Sequence, residues 1–182
     1  MAQKLDQILV IDIEATCWAG ESPPGQEAEI IEIGICVIDV ASGERLSKES
    51  ILVKPQRSTV SPFCTQLTTL TQAQVDTGVS FQAACAILKK KYLSKKRLWA
   101  SYGDYDRRQF ERQCQDWDIP YPFGSTHLNV KNLFAIMHRL SKEVGLDKAL
   151  TLLNRPLEGT HHRGDDDAWN IAGVLSTLLF SG

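Results

Sequence analysis

The chain lacks the features that fix a protein's class at first sight. Its 182 residues hold five cysteines, Cys17, Cys36, Cys64, Cys85 and Cys114, an odd number with no Cys-x-x-Cys pair. That excludes a disulfide framework and a thiolate zinc site, and leaves small buried hydrophobes in a reducing compartment. No run approaches ~18 uninterrupted apolar residues, so neither a spanning helix nor a membrane partner is expected. The opening MAQKLDQ has no leader pattern, and the expectation is a cytoplasmic protein. Net charge is also scarce: the formal value is −2, which excludes a molecule that attracts nucleic acid by overall charge. Basic clusters at Lys89-Lys90-Lys91, Lys95-Lys96-Arg97 and Arg107-Arg108 leave a local basic surface open, alongside plain solvated helix ends. Linkers, repeats and low-complexity segments are missing. With 43% hydrophobic and 23% charged residues, residues 1–182 read as one domain with a full core.

What is present is strand and helix patterning. Apolar runs predict strands at 7–13, 30–40, 45–54, 97–101 and 127–130, the second and third joined as a hairpin through Ala41-Ser42-Gly43. Helices are predicted at 71–76, 80–92, 104–116, 131–142, 146–153 and 166–179, with Thr71 and Ser80 as caps. Pro55 to Pro62 reads as loop. Strands first, then strands alternating with helices, predict an α/β domain with a mixed sheet of about five strands and helices on both faces.

Asp12 and Glu14 interrupt the first strand. Side chains alternate along a strand, so both carboxylates leave one face while Ile11 and Ile13 leave the other. Two like charges in an apolar setting are costly unless a cation joins them, and oxygen-only ligands suit Mg²⁺ or Mn²⁺. A strand end whose acids reach water is the plain alternative. Asp106 heads an inward stripe with Phe110, Gln113 and Trp117, where the helix dipole alone also favours an acid. Asp104 falls on the outer face as a solvated residue or cap. Asp167 aligns inward with Ile171, Val174 and Leu178, whereas Asp166 reads as an outward cap. His161 and His162 lie on a loop between Gly159 and Gly164, where a histidine is suited to taking a proton from water.

In order, Asp12-Ile13-Glu14, Asp106, and His162 with Asp167 five residues on resemble the DEDDh 3′→5′ exonucleases, whose fold is ribonuclease-H-like. Ile-Asp-Ile-Glu-Ala-Thr-Cys at 11–17 resembles the enhanced-RNAi type of exoribonuclease, a subgroup with bacterial KinA-pathway-inhibitor relatives. Ser61-Pro62-Phe63-Cys64-Thr65-Gln66-Leu67-Thr68 resembles its substrate-side loop, and Asp167-Ala168-Trp169-Asn170 its last helix. Thr69-Leu70 stands where the family often has Gly-Ile.

The resemblance implies a single-domain nuclease. Asp12, Glu14, Asp106 and Asp167 would hold two Mg²⁺ ions, with Mn²⁺ able to substitute, balancing four negative charges with four positive. Glu14 would also count as catalytic, and His162, selected over His161 by its spacing to Asp167, would be the general base. Ala15, Thr16, Leu67 and Tyr105 would contact the terminal nucleotide, together with His162, Tyr105 by stacking. Plain packing competes for Leu67. Trp18 reads as packing, and Trp99 and Trp169 as core. The implied partner is single-stranded nucleic acid, RNA favoured over DNA, and the product a nucleoside 5′-monophosphate. A DNA exonuclease or proofreading factor, or a non-catalytic binding protein with this fold, remain the alternatives; fold alone does not separate them.

Overall fold

The computed structural model describes residues 4–180. Five strands are present among them: β1 (Lys4–Ala15), β2 (Ile30–Asp39), β3 (Arg45–Leu52), β4 (Arg97–Ser101) and β5 (His127–Asn129). Seven helices accompany them: α1 (Pro62–Thr68), α2 (Gln72–Val75), α3 (Phe81–Lys91), α4 (Tyr105–Asp116), α5 (Val130–Met137), α6 (Leu146–Leu152) and α7 (Gly164–Phe180). Sheet order is β3-β2-β1-β4-β5. The β1–β2 and β2–β3 pairs are antiparallel, while β4 runs parallel to both β1 and β5. The sheet is therefore mixed, as the early hairpin predicts.

The two faces sort by sequence parity. Leu9, Ile11 and Ile13 of β1 join Phe81 of α3 and Phe110 of α4 in one apolar layer. Ile8 and Val10 join Phe134 of α5, Leu150 of α6 and Ile171 of α7 in the other. Continued one step at a time, the second series reads Ile8, Val10, Asp12, Glu14, so the acids fall on the α7 face. β2 is buried on both faces and is almost wholly apolar, whereas the edge strand β3 alternates exposed and half-buried residues. Among the described residues, no helix is long and apolar enough to cross a membrane.

Several boundaries depart from the sequence expectation. Residues 62–68 form a helix, not a loop: the Ser61 side chain accepts from the Cys64 amide and Pro62 takes the first helical position. It ends at Thr69, which adopts φ +64°. β1 extends on both sides of 7–13, and α5 stops at Met137 rather than near 142. α7 begins at Gly164, which moves Asp166 from the cap into the first turn. Its carboxylate accepts from the Thr160 amide at 2.7 Å and pairs with Lys48. Trp99 is core, fully buried. Trp169 is instead at the margin: its indole donates to Glu158 and the Arg45 guanidinium lies over its ring.

Candidate active site

Three elements bring the acids together, and a glycine decides how closely. Asp12 on β1 is paired with Gly34 on β2, and Glu14 with Glu32. The first turn of α7 lies directly on Gly34, where a Cβ would come within 1.8 Å of the Gly164 carbonyl carbon and oxygen. That approach sets Asp167 beside β1. Donor oxygens of Asp12, Glu14 and Asp167 then lie within 4.8 Å of one another. The sequence reading passed over Gly34, although a glycine inside an apolar strand signals a close backbone approach. Gly34→Ala is expected to lower stability by about 1–3 kcal/mol through overpacking and to separate Asp167 from Asp12. A denaturant melt and a cation titration would check both.

Asp106 comes from the opposite layer. β4 pairs with β1 only as far as Val10 and Ala100. Beyond that point the Ile13 amide, between the two acids in sequence, donates to Asp106 Oδ1 at 3.0 Å. The carboxylate thus completes the strand's hydrogen bonding where β4 has ended.

Burial raises the pKa of all four carboxylates, and repulsion among them adds to it at Asp12, Glu14 and Asp106. Burial raises Asp12 well above the usual carboxylate range, helped by repulsion from Asp106, Glu14 and Asp167. Burial, then Asp167 and Glu32, pushes Glu14 up to about 9. Burial lifts Asp106 to about 6, less than Glu14 because the Ile13 amide holds it down. Asp167 is also raised by burial, against the pull of His161 and His162. Acids so close prefer protons or a hard divalent cation, and the all-carboxylate donor set fits Mg²⁺ or Mn²⁺.

The loop before α7 carries both histidines. His161 Nδ1 lies 3.0 Å from each oxygen of Asp167. The His162 backbone amide donates to the same carboxylate at 2.9 Å, at φ +63°. The two rings stack with centroids 4.0 Å apart. Burial and the neighbouring His161 lower the pKa of His162, favouring a neutral ring. Spacing had singled out His162; the side chain on Asp167 is that of His161, a neighbour that spacing alone could not weigh.

Glu32 anchors this loop, and the sequence reading missed it. Fully buried, it accepts from Arg163 through Nε and Nη2, from the Gly164 amide and from Ser50. Its signal was available: a carboxylate inside an apolar strand, the same anomaly that drew attention to Asp12.

The resulting cleft, of about 290 Å³, is lined by Asp12, Glu14, Asp106, Asp167 and both histidines, with Tyr102, Tyr105, Leu146 and Ile171 as apolar walls. Tyr105 is 58% exposed there, free to meet a ligand. Three expected contacts lie off this cleft. Thr16 is fully buried, its hydroxyl taken by the Glu29 amide and the Ser58 hydroxyl, so it positions the loop and does not touch a ligand by its side chain. Ala15 is buried and its carbonyl accepts from the Cys64 thiol. Leu67 projects from α1, partly exposed, and is not among the cleft's walls.

Comparison with known proteins identifies the family. Residues 9–175 match the exonuclease family model, RNase_T. Human 3′-5′ exoribonuclease 1 is 31% identical over 190 residues, covering 97% of this chain and 53% of that protein. Bovine ERI1 exoribonuclease 3 is 30% identical over 195 residues, covering 99% and 56%. The chain thus spans about half the length of these relatives. Among solved structures, the nuclease domain of 3′hExo, described as a DEDDh family member bound to rAMP, superposes with a TM-score of 0.87 at 28% identity, covering 100% of this chain and 96% of that one. With an acidic pair on β1, an acid opening each of α4 and α7, and a family match over nearly its whole length, this chain belongs to the exonuclease family.

Proposed function

We propose that this domain is a metal-dependent 3′→5′ exoribonuclease that trims single-stranded ends to nucleoside 5′-monophosphates. One observation carries it: four carboxylates from three elements converge beside a histidine-bearing loop. Asp12, Glu14 and Asp167 would hold one divalent cation, and Glu14 with Asp106 a second. Such ions, when bound, neutralise the carboxylates and stabilise charge on the attacking and leaving oxygens. The chain's own residues do the rest. His162, whose pKa burial lowers, takes the proton of the attacking water as its oxygen bonds to phosphorus and the bond to the 3′ oxygen breaks. Tyr105 offers a face on which the terminal base stacks, a contact tolerant of sequence. Leu146 and Ile171 give the cleft apolar walls beside the acids.

RNA is favoured over DNA because the similar proteins are described as exoribonucleases. Matched 5′-labelled RNA and DNA single strands, incubated with Mg²⁺, Mn²⁺ or EDTA, test the reading. Stepwise shortening of RNA from its 3′ end, abolished by EDTA, is the expected result. Faster loss of DNA would favour a DNA exonuclease, and no cleavage with either metal a non-catalytic binding protein.

A second assignment of the base rests on the contact between His161 and Asp167. His162→Ala is expected to cut turnover by about a hundredfold or more and to flatten the acid limb of the pH–rate profile. His161→Ala is expected to act mainly by weakening cation binding. The reverse pattern would make His161 the base.

A further inference from the structure

We propose that His161, His162 and Asp167 form a zinc site on the loop before α7, where Zn²⁺ binds independently of Asp12, Glu14 and Asp106 and switches off the cleft it borders. One donor atom from each of the three residues lies within 4.8 Å of the other two. His161 Nδ1 is 3.0 Å from either oxygen of Asp167. The His162 amide donates to the same carboxylate at 2.9 Å, which holds it against the loop. The two imidazoles lie side by side, with centroids 4.0 Å apart and 24° between their planes. Zn²⁺ bonds of about 2.0–2.2 Å at tetrahedral angles set neighbouring donors roughly 3.4 Å apart. The His161–Asp167 contact is already close to that separation, and His162, partly exposed, reaches it by side-chain rotation. Three protein ligands and a water make a complete zinc coordination.

A carboxylate outside the cleft marks His161 as a ligand. Asp147 Oδ2 lies 3.8 Å from Nε2, the ring nitrogen that does not face Asp167. A metal-bound histidine commonly donates its second N–H to a carboxylate, which fixes the tautomer and makes the bound nitrogen more basic. With the proton on Nε2, Nδ1 turns its lone pair to the Asp167 side. Asp147, whose side chain is 68% exposed, is free to close on Nε2. Donor chemistry then separates the two cation sites. Asp12, Glu14 and Asp106 offer oxygen alone, which suits Mg²⁺ and Mn²⁺, whereas two imidazoles with one carboxylate suit Zn²⁺. The effect on catalysis rests on the nuclease reading above; the binding does not. A neutral imidazole has one lone pair. Once His162 gives it to Zn²⁺, no acceptor is left there for the proton of water. Asp167 is also drawn from the cation it would share with Asp12 and Glu14. Zn²⁺ is therefore an inhibitor of the cleft that Mg²⁺ activates.

Two readouts test this on the full chain, stripped of metal with EDTA and then freed of the chelator. Zn²⁺ affinity is measured by competition with a chromophoric chelator, and inhibition as loss of Mg²⁺-dependent cleavage of 5′-labelled RNA. One strong equivalent of Zn²⁺ is expected, and it should persist in Asp12→Asn. Asp147→Asn should weaken it by about tenfold or more, and His161→Gln by about a hundredfold or more. In Mg²⁺ alone Asp147→Asn should cleave like the parent, yet need proportionately more Zn²⁺ to be inhibited. Affinity unchanged in both His161→Gln and Asp147→Asn, or lost in Asp12→Asn as fully as in His161→Gln, would overturn the site. Cleavage that continues with the zinc site filled would overturn the switch. Zn²⁺ held through His161 by a chain that cleaves neither RNA nor DNA would uphold the site and overturn the nuclease reading instead.

Discussion

Asp106→Asn is expected to lower kcat by about a thousandfold or more while leaving the fold intact or more stable. The first part follows from losing a charge that would hold a cation against the leaving oxygen. The second follows from the geometry of the side chain. Asparagine keeps an oxygen where Asp106 Oδ1 now accepts from the Ile13 amide, so the strand stays satisfied. It also removes one of the charges that raise Asp12 and Glu14. In EDTA the variant should therefore melt no lower than the parent, and its two neighbours should titrate nearer the ordinary range. Single-turnover assays beside thermal melts would check this. A variant that keeps its activity would remove Asp106 from the site, and one that is unfolded would show that Asn cannot serve Ile13.

The second large effect concerns pH and metal together. Asp12, Glu14, Asp106 and Asp167 all have folded-state pKa values raised above their ordinary ones. Between the unfolded pKa near 4 and the folded values, up to about 9 for Glu14, the folded chain holds more protons than the unfolded chain. Stability in EDTA is thus greatest near the acid end of that window and falls as pH rises through it. The loss is on the order of several kcal/mol across the window. A cation binds the deprotonated carboxylates, so its stabilisation runs the other way and grows with pH. At a hundredfold excess over Kd it is worth about 2.7 kcal/mol, or about 5–10 °C in Tm for a chain of this size. Melts at pH 6 and pH 8.5, with Mg²⁺ or EDTA, should show a larger Mg²⁺ shift at the higher pH. Equal shifts would mean that these acids do not lose protons to solvent when the metal binds.

Much of this was open to reading from residues alone. Alternation along β1 placed Asp12 and Glu14 on one face, and the 3.6-residue period turned Asp106 and Asp167 inward. Both rules depend only on local backbone geometry. The helix at Pro62 was missed although Ser61-Pro62 carries its cap and first position, because nearby prolines suggested loop. Thr16 was read as a ligand contact because it follows the acidic pair where the resembling family grips the terminal nucleotide, whereas its partners Glu29 and Ser58 come from other segments.

The sequence by itself therefore determined the mixed α/β pattern, the inward acids and the histidine loop, since each follows from periodicity or from turn chemistry. Only the tertiary structure decided that Gly34 lets α7 rest on β2, that Glu32 ties the histidine loop through Arg163, and that His161 is the side chain on Asp167. These are contacts between residues far apart in the chain or on a loop held by distant partners, and they depend on packing distances that no local period encodes.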